Sequence, residues 1–150
     1  MGGEMKSKVI IVSLCLVFSS SAFSSSNIWS NDGIDSNISP EIKVTLFQNV
    51  SGGVNIGLTF PSDDCVDFED RVLKAPSYSI NGTLVKSYAQ CIGKGKRMDF
   101  PATDAGKEYV ISQFKQKNTV VYGQDGFEIT FSAIGFSAVY ENYKNRMDGI

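Results

Sequence analysis

Apolar and polar residues alternate along much of this chain, and the runs are separated by turn-forming residues. From Glu41 to Val50, Ile42, Val44 and Leu46 fall on one face; Ser51-Gly52-Gly53 interrupts, and Val54, Ile56, Leu58 and Phe60 alternate again up to Pro61. Two period-two runs joined by a glycine break predict a β-hairpin. Tyr78–Ile80 and Thr83–Ile92 flank Asn81-Gly82, the pair that best accommodates a tight hairpin turn. Gly93-Lys94-Gly95-Lys96 forms the next turn, and Met98-Asp99-Phe100 a short strand stopped by Pro101. Thr119–Tyr122 and Phe127–Ser132, on either side of Gly123-Gln124-Asp125-Gly126, predict a third hairpin.

The period changes twice. Thr103 or Asp104 can cap a helix running to about Gln116, with Val110, Ile111 and Phe114 as its buried stripe. Gly106, early in that helix, weakens it by about 1 kcal/mol relative to Ala. Phe136, Val139, Tyr140, Tyr143 and Met147 recur at helical spacing and predict a terminal amphipathic helix. About seven strands, mostly antiparallel, with two helices predict a β-rich α+β domain over residues 41–150: a sandwich or a strongly curved sheet with helices at one end. Residues 25–40, rich in Ser, Asn and Asp, read as a flexible leader whose large apolar anchor is Trp29.

The first 24 residues have a different character. Lys6 and Lys8 precede an apolar run from Val9 to Phe18, and small residues follow at Ser20-Ser21-Ala22 and Ala22-Phe23-Ser24. That is the layout of a cleaved secretory signal, and the run is too short to span a bilayer. A lipid on Cys15 is the competing reading, but Ser13-Leu14 are poor residues to precede a lipidated cysteine. The expected location is therefore the periplasm or beyond. Of 14 basic and 16 acidic side chains, the signal holds Lys6, Lys8 and Glu4, so 12 and 15 remain and the net charge is −3. A mildly acidic chain without a basic stripe is a poor nucleic-acid binder, and no second apolar run reaches membrane-spanning length.

An oxidising compartment favours joining Cys65 to Cys91, the two cysteines left after the signal; two unpaired thiols are the alternative. The chain has no histidine, which excludes a Ser-His-Asp triad, a Cys-His pair and a histidine-bound metal. Asp63, Asp64, Asp67, Glu69 and Asp70 form the best carboxylate cluster. It lacks the glycine and terminal glutamate of a calcium loop, so a solvated acidic loop is expected over a cation site. Lys94, Lys96 and Arg97 on their glycine turn are the candidate binding residues for an anionic partner. The spacing does not match a phosphate-binding P-loop. Asn37, Asn49 and Asn81 head glycan acceptor triplets, Asn81 being explained by its turn.

Residues Glu108–Tyr122 and Phe127–Tyr143, ending in Gly135-Phe136 and a short helix, resemble the end of the invasion-associated locus B family of small secreted bacterial proteins. The likeness covers about 45 residues, and the family often has more cysteines than the one pair available here. It implies a β-rich envelope or periplasmic domain and carries over no catalytic residue. Together these features predict an exported, non-enzymatic binding protein that acts on a macromolecular partner or surface ligand, without cofactor or metal. An inhibitor or immunity protein and an envelope or host-interaction factor are two forms of it. The competing class is a carboxylate-dependent hydrolase of the cell envelope.

Overall fold

The computed structural model describes residues 27–149; the expected signal and Cys15 lie outside them. Eight strands occur in the order β1 (Ile34–Asp35), β2 (Lys43–Gln48), β3 (Val54–Pro61), β4 (Val72–Ile80), β5 (Thr83–Gly93), β6 (Lys96–Pro101), β7 (Thr119–Gln124) and β8 (Phe127–Ser132). Helix α1 (Asp104–Gln116) connects β6 to β7, and α2 (Phe136–Asp148) follows β8. All strands belong to one antiparallel sheet, ordered β1-β2-β3-β6-β5-β4-β7-β8.

The sheet curls until its two ends meet. Ser36 bridges Phe131, the Asn37 amide donates to the Thr130 carbonyl at 3.0 Å, and the Thr130 amide donates to Asn37 Oδ1 at 3.0 Å. The curved-sheet form is thus the one adopted, as a nearly closed barrel rather than two packed sheets. This contact covers part of the edges that an open sheet would leave unpaired. Inward residues of the strands build the core: Val44, Ile56, Leu58, Ile80, Val85, Val120 and Phe131 are all buried.

Two of the turns match their chemistry closely. Asn81 and Gly82 both have positive φ (48° and 91°), as do Asp125 and Gly126 (52° and 78°), the conformation of a two-residue hairpin turn that follows strand twist. In α1 the Thr103 hydroxyl caps the helix by accepting from the Gly106 amide at 2.9 Å. Gly106 has a packing reason to be glycine: a Cβ there would lie 3.0 Å from Val85 Cγ1 and 3.2 Å from Thr103 Oγ1.

Antiparallel pairing sorts the connections between the two barrel ends. One end receives the β2–β3 and β4–β5 turns and both helices. Val110, Ile111 and Phe114 of α1 and Phe136 of α2 are buried there, and the Tyr109 hydroxyl donates to the Ile80 carbonyl at 2.9 Å. The other end receives the β3–β4 loop and the β5–β6 and β7–β8 turns, and neither α1 nor α2 covers it.

Two expectations require correction. The segment expected to be a flexible leader is, from Trp29 onward, part of the core. Trp29 is buried edge-on against Phe114 and Phe136, with its indole N–H donating to the Ser132 carbonyl at 2.9 Å, and Ile34 of β1 is also buried. Two buried side chains, the short β1–β2 ladder and the backbone bonds of Trp29, Ser36 and Asn37 fasten a polar segment that has no periodicity. The strand expected from Tyr78 begins instead at Val72, because a register shift between Ala75 and Tyr78 carries it past Pro76. A proline that would break a regular ladder is tolerated at such an irregularity.

Candidate binding site at the open end of the barrel

The β3–β4 loop is pinned at the open end by covalent and hydrogen bonds. Cys65 and Cys91 are joined, with Cα atoms 5.5 Å apart, well within disulfide reach. Ser62 caps the single 3-10 turn Asp63–Cys65, its hydroxyl accepting from the Asp64 amide at 3.2 Å. The loop is also stitched to the β5–β6 turn. The Ser62 amide donates to the Gly95 carbonyl at 2.9 Å, and the Gly95 amide donates to the Cys65 carbonyl at 2.7 Å. Gly95 has φ +76°, a conformation that favours glycine.

This stitching unites the acidic loop and the basic turn into one surface, but it divides the three candidate basic residues. Lys94 and Lys96 are exposed at the rim. Arg97, one position on in a strand, turns to the opposite face and enters the barrel. Its Nε donates to Asp99 Oδ1 at 2.7 Å, Nη2 to Asp99 Oδ2 at 3.1 Å and Nη1 to Asp64 Oδ2 at 2.9 Å, while its guanidinium carbon lies 5.4 Å from the centre of the Phe60 ring. The expectation of a three-residue basic patch therefore reduces to two lysines, and Arg97 is an internal structural cation. Its hydrogen bonds to Asp99 push its proton affinity above the ordinary arginine value.

Asp99 is a carboxylate inside the barrel, its side chain only 1% exposed. Besides Arg97 it accepts from the Tyr78 hydroxyl at 2.5 Å. Burial, then the hydrogen bond to Asp99, raises the Tyr78 pKa well above 10. The Tyr122 ring stands at 6.0 Å from Tyr78 and 5.3 Å from Phe131, both edge-to-face. Tyr122 is buried, and burial raises its pKa as well. Its hydroxyl makes no hydrogen bond to the described residues, and the ring lines the cavity beside it.

Between these rings and the opposite wall lies a cavity of about 460 Å³, with Ile42, Leu58 and Phe60 on one side and Tyr78, Tyr122 and Ile129 on the other. Outside it, the pinned loop presents apolar side chains to solvent. Val66, Phe68, Val72 and Leu73 are each close to half exposed, among five carboxylates of which Asp64 is paired with Arg97. Some of those acids have local partners: Glu69 meets Arg71 at 3.2 Å, and Asp70 Oδ1 accepts from Gln90 Nε2 at 2.6 Å.

Among the described residues, no three acidic or cysteine side chains converge as a metal site, and no helix is long and apolar enough to cross a membrane. Each of the three acceptor-triplet asparagines has its carboxamide hydrogen-bonded: Asn37 to Thr130, Asn49 to its own turn at Ser51 and Gly53, and Asn81 to Val121 and Gln113.

Sequence reasoning missed Tyr78, Asp99 and Tyr122. Both tyrosines fit the alternating core pattern, and only the inward register of Asp99, opposite Leu58 and Ala89, separates it from a surface charge. Compared with known proteins, the chain matches no family, no curated protein and no solved structure.

Proposed function

We propose that this chain is an exported, non-enzymatic binding protein that acts through a protein partner with a basic and partly apolar face. The observation that carries the reading is the disulfide-pinned loop. It exposes Val66, Phe68, Val72 and Leu73 inside an acidic frame. Exposed apolar groups clustered within a charged surround mark association surfaces on soluble proteins. The disulfide keeps this cluster ordered without a partner, which lowers the entropic cost of docking. The secretory layout of residues 1–24 and the resemblance to the invasion-associated locus B proteins support an envelope or secreted setting.

The buried carboxylate inside the barrel supports binding over hydrolysis. Asp99 is occupied by Arg97 and Tyr78, and Asp64, the second acid on that guanidinium, accepts from a different nitrogen, Nη1.

The test is affinity capture from the extracytoplasmic fraction of the native cell, comparing the wild type with a Phe68→Ser/Leu73→Ser variant and a Tyr88→Ser control on the outer barrel face. The expected result is one partner lost with the loop variant and retained with the control, with an association rate that falls as salt rises. Identical capture by all three proteins overturns the loop reading. Turnover of an envelope polymer that disappears in a folded Asp99→Asn protein overturns the non-enzymatic one. Intact mass of the exported protein should show loss of the first 22 to 24 residues.

A further inference from the structure

We infer that the open mouth of the barrel is a binding site for a small, neutral, mainly aromatic molecule, held between Leu58, Phe60 and Ile129 with a hydrogen-bond acceptor on the Tyr122 hydroxyl. This site is separate from the loop proposed to meet a protein partner.

Four observations converge on it. The cavity, about 460 Å³, lies within the size range of small-molecule pockets, and the mouths of eight-stranded barrels are a recurrent place for them. Below a rim that holds Gln124 and Asp125, its walls are apolar side chains and the rings of Phe60, Tyr78 and Tyr122, which favour a flat ring packed edge-to-face. The charged residue that lines it, Asp125, is exposed at the rim, and behind Tyr78 the Arg97 donors are taken by Asp99 and Asp64, so an ionic ligand finds no free counter-charge in the interior of the cavity, where desolvating it would be unfavourable.

The fourth observation sets the ligand's polar group. Tyr78 already donates to Asp99, whereas the buried hydroxyl of Tyr122 has no partner among the described residues. A ligand carbonyl or ether oxygen reaching that hydroxyl would supply the missing acceptor. A hydrocarbon of the same shape would leave it unmet, and this difference makes the site selective.

The experiment uses the purified protein and a pair of neutral naphthalene fluorophores, 6-propionyl-2-dimethylaminonaphthalene and its counterpart without the propionyl carbonyl. The carbonyl probe should bind saturably with a blue-shifted emission. Tyr122→Phe should weaken it about tenfold, the scale of one lost hydrogen bond, and leave the counterpart's affinity unchanged. Ile129→Trp, which fills the mouth, should abolish binding of both. Methyl NMR of the wild type locates the probe without any substitution: signals of Ile42, Leu58 and Ile129 should shift on titration.

Absence of saturable binding overturns the proposal. That is also the result expected if the cavity serves only to receive a side chain from a protein partner. Binding that shifts Val66, Val72 and Leu73 methyls instead places the probe on the loop and overturns it equally. Equal loss of affinity for both probes in Tyr122→Phe removes the acceptor contact on which the proposal rests.

Discussion

Arg97 grips Asp99 with two parallel hydrogen bonds, Nε to Oδ1 at 2.7 Å and Nη2 to Oδ2 at 3.1 Å, on the inner face of a strand whose neighbouring lysine faces water. Two adjacent basic residues thereby have opposite roles. A lost partner inside a barrel leaves a desolvated charge, whereas a lost surface charge is replaced by water.

Arg97→Met should therefore destabilise the fold by about 3 kcal/mol, the lower end of the range for breaking a buried pair, since one edge of the guanidinium remains accessible through Asp64. Lys94→Glu with Lys96→Glu should change stability by no more than about 0.5 kcal/mol. Urea titrations of the two proteins distinguish these outcomes. A double change, Arg97→Met with Asp99→Asn, should cost less than the sum of the single losses, because neither charge is then stranded.

Alkaline pH should weaken the fold through Tyr78 and Tyr122. Their folded pKa values lie above the ordinary 10.0, so the native state keeps protons that the unfolded chain releases. The stabilisation is complete below about pH 10 and is lost as pH climbs from there through the folded values. Thermal unfolding followed across that interval should show a steady fall in Tm. Tyr122→Phe should flatten the fall, because it removes one of the two groups. A pH-independent Tm above pH 10 would contradict the burial of both hydroxyls.

The hairpins were legible because each rests on a local signal: Asn81-Gly82 and Asp125-Gly126 have the backbone their turns demand, and strand alternation carries the register outward. The helices were legible from Val110, Phe114 and Phe136. What was not legible depends on distant partners. Ile34 becomes a strand residue only because Val44 lies opposite it, and Ser36 closes the barrel only against Phe131. Arg97 looks like one of a basic trio until its register against Cys91 and Phe60 turns it inward. The cavity could not be read at all, since alternation marks Tyr122 as facing inward without saying what fills the interior.

The burial of Trp29 predicts that the polar segment before β2 is required for folding. A chain beginning at Glu41 lacks Trp29, β1 and the bridge to β8, and should lose cooperative unfolding. Trp29→Ala alone should cost about 3–5 kcal/mol, as should Phe136→Ala, whose ring lies 4.8 Å from the indole. Because the two rings touch, the double variant should cost less than the sum. A native-like near-ultraviolet spectrum from the shortened chain would show the segment to be dispensable.

The Cys65–Cys91 bond encloses about 27 residues, for which the chain-entropy model gives roughly 3.5 kcal/mol of stabilisation. That loop takes in all of β4 and most of β5, so reduction frees a large part of the barrel in the unfolded state. In the native state the effect should be local. The acidic loop keeps its hydrogen bonds through Ser62 and Gly95, but it loses its covalent anchor at the position where Val66 and Phe68 face solvent. Cys65→Ala/Cys91→Ala should lower stability by a few kcal/mol, speed amide exchange across residues 62–71 and weaken partner capture. The barrel mouth, walled by Ile42 just before β2, by β3, β7 and β8 and by the C-terminal half of β4, should keep its affinity for the carbonyl fluorophore. Loss of partner and probe together in a folded variant would show that the loop and the cavity form one site; loss of the partner alone would establish them as two.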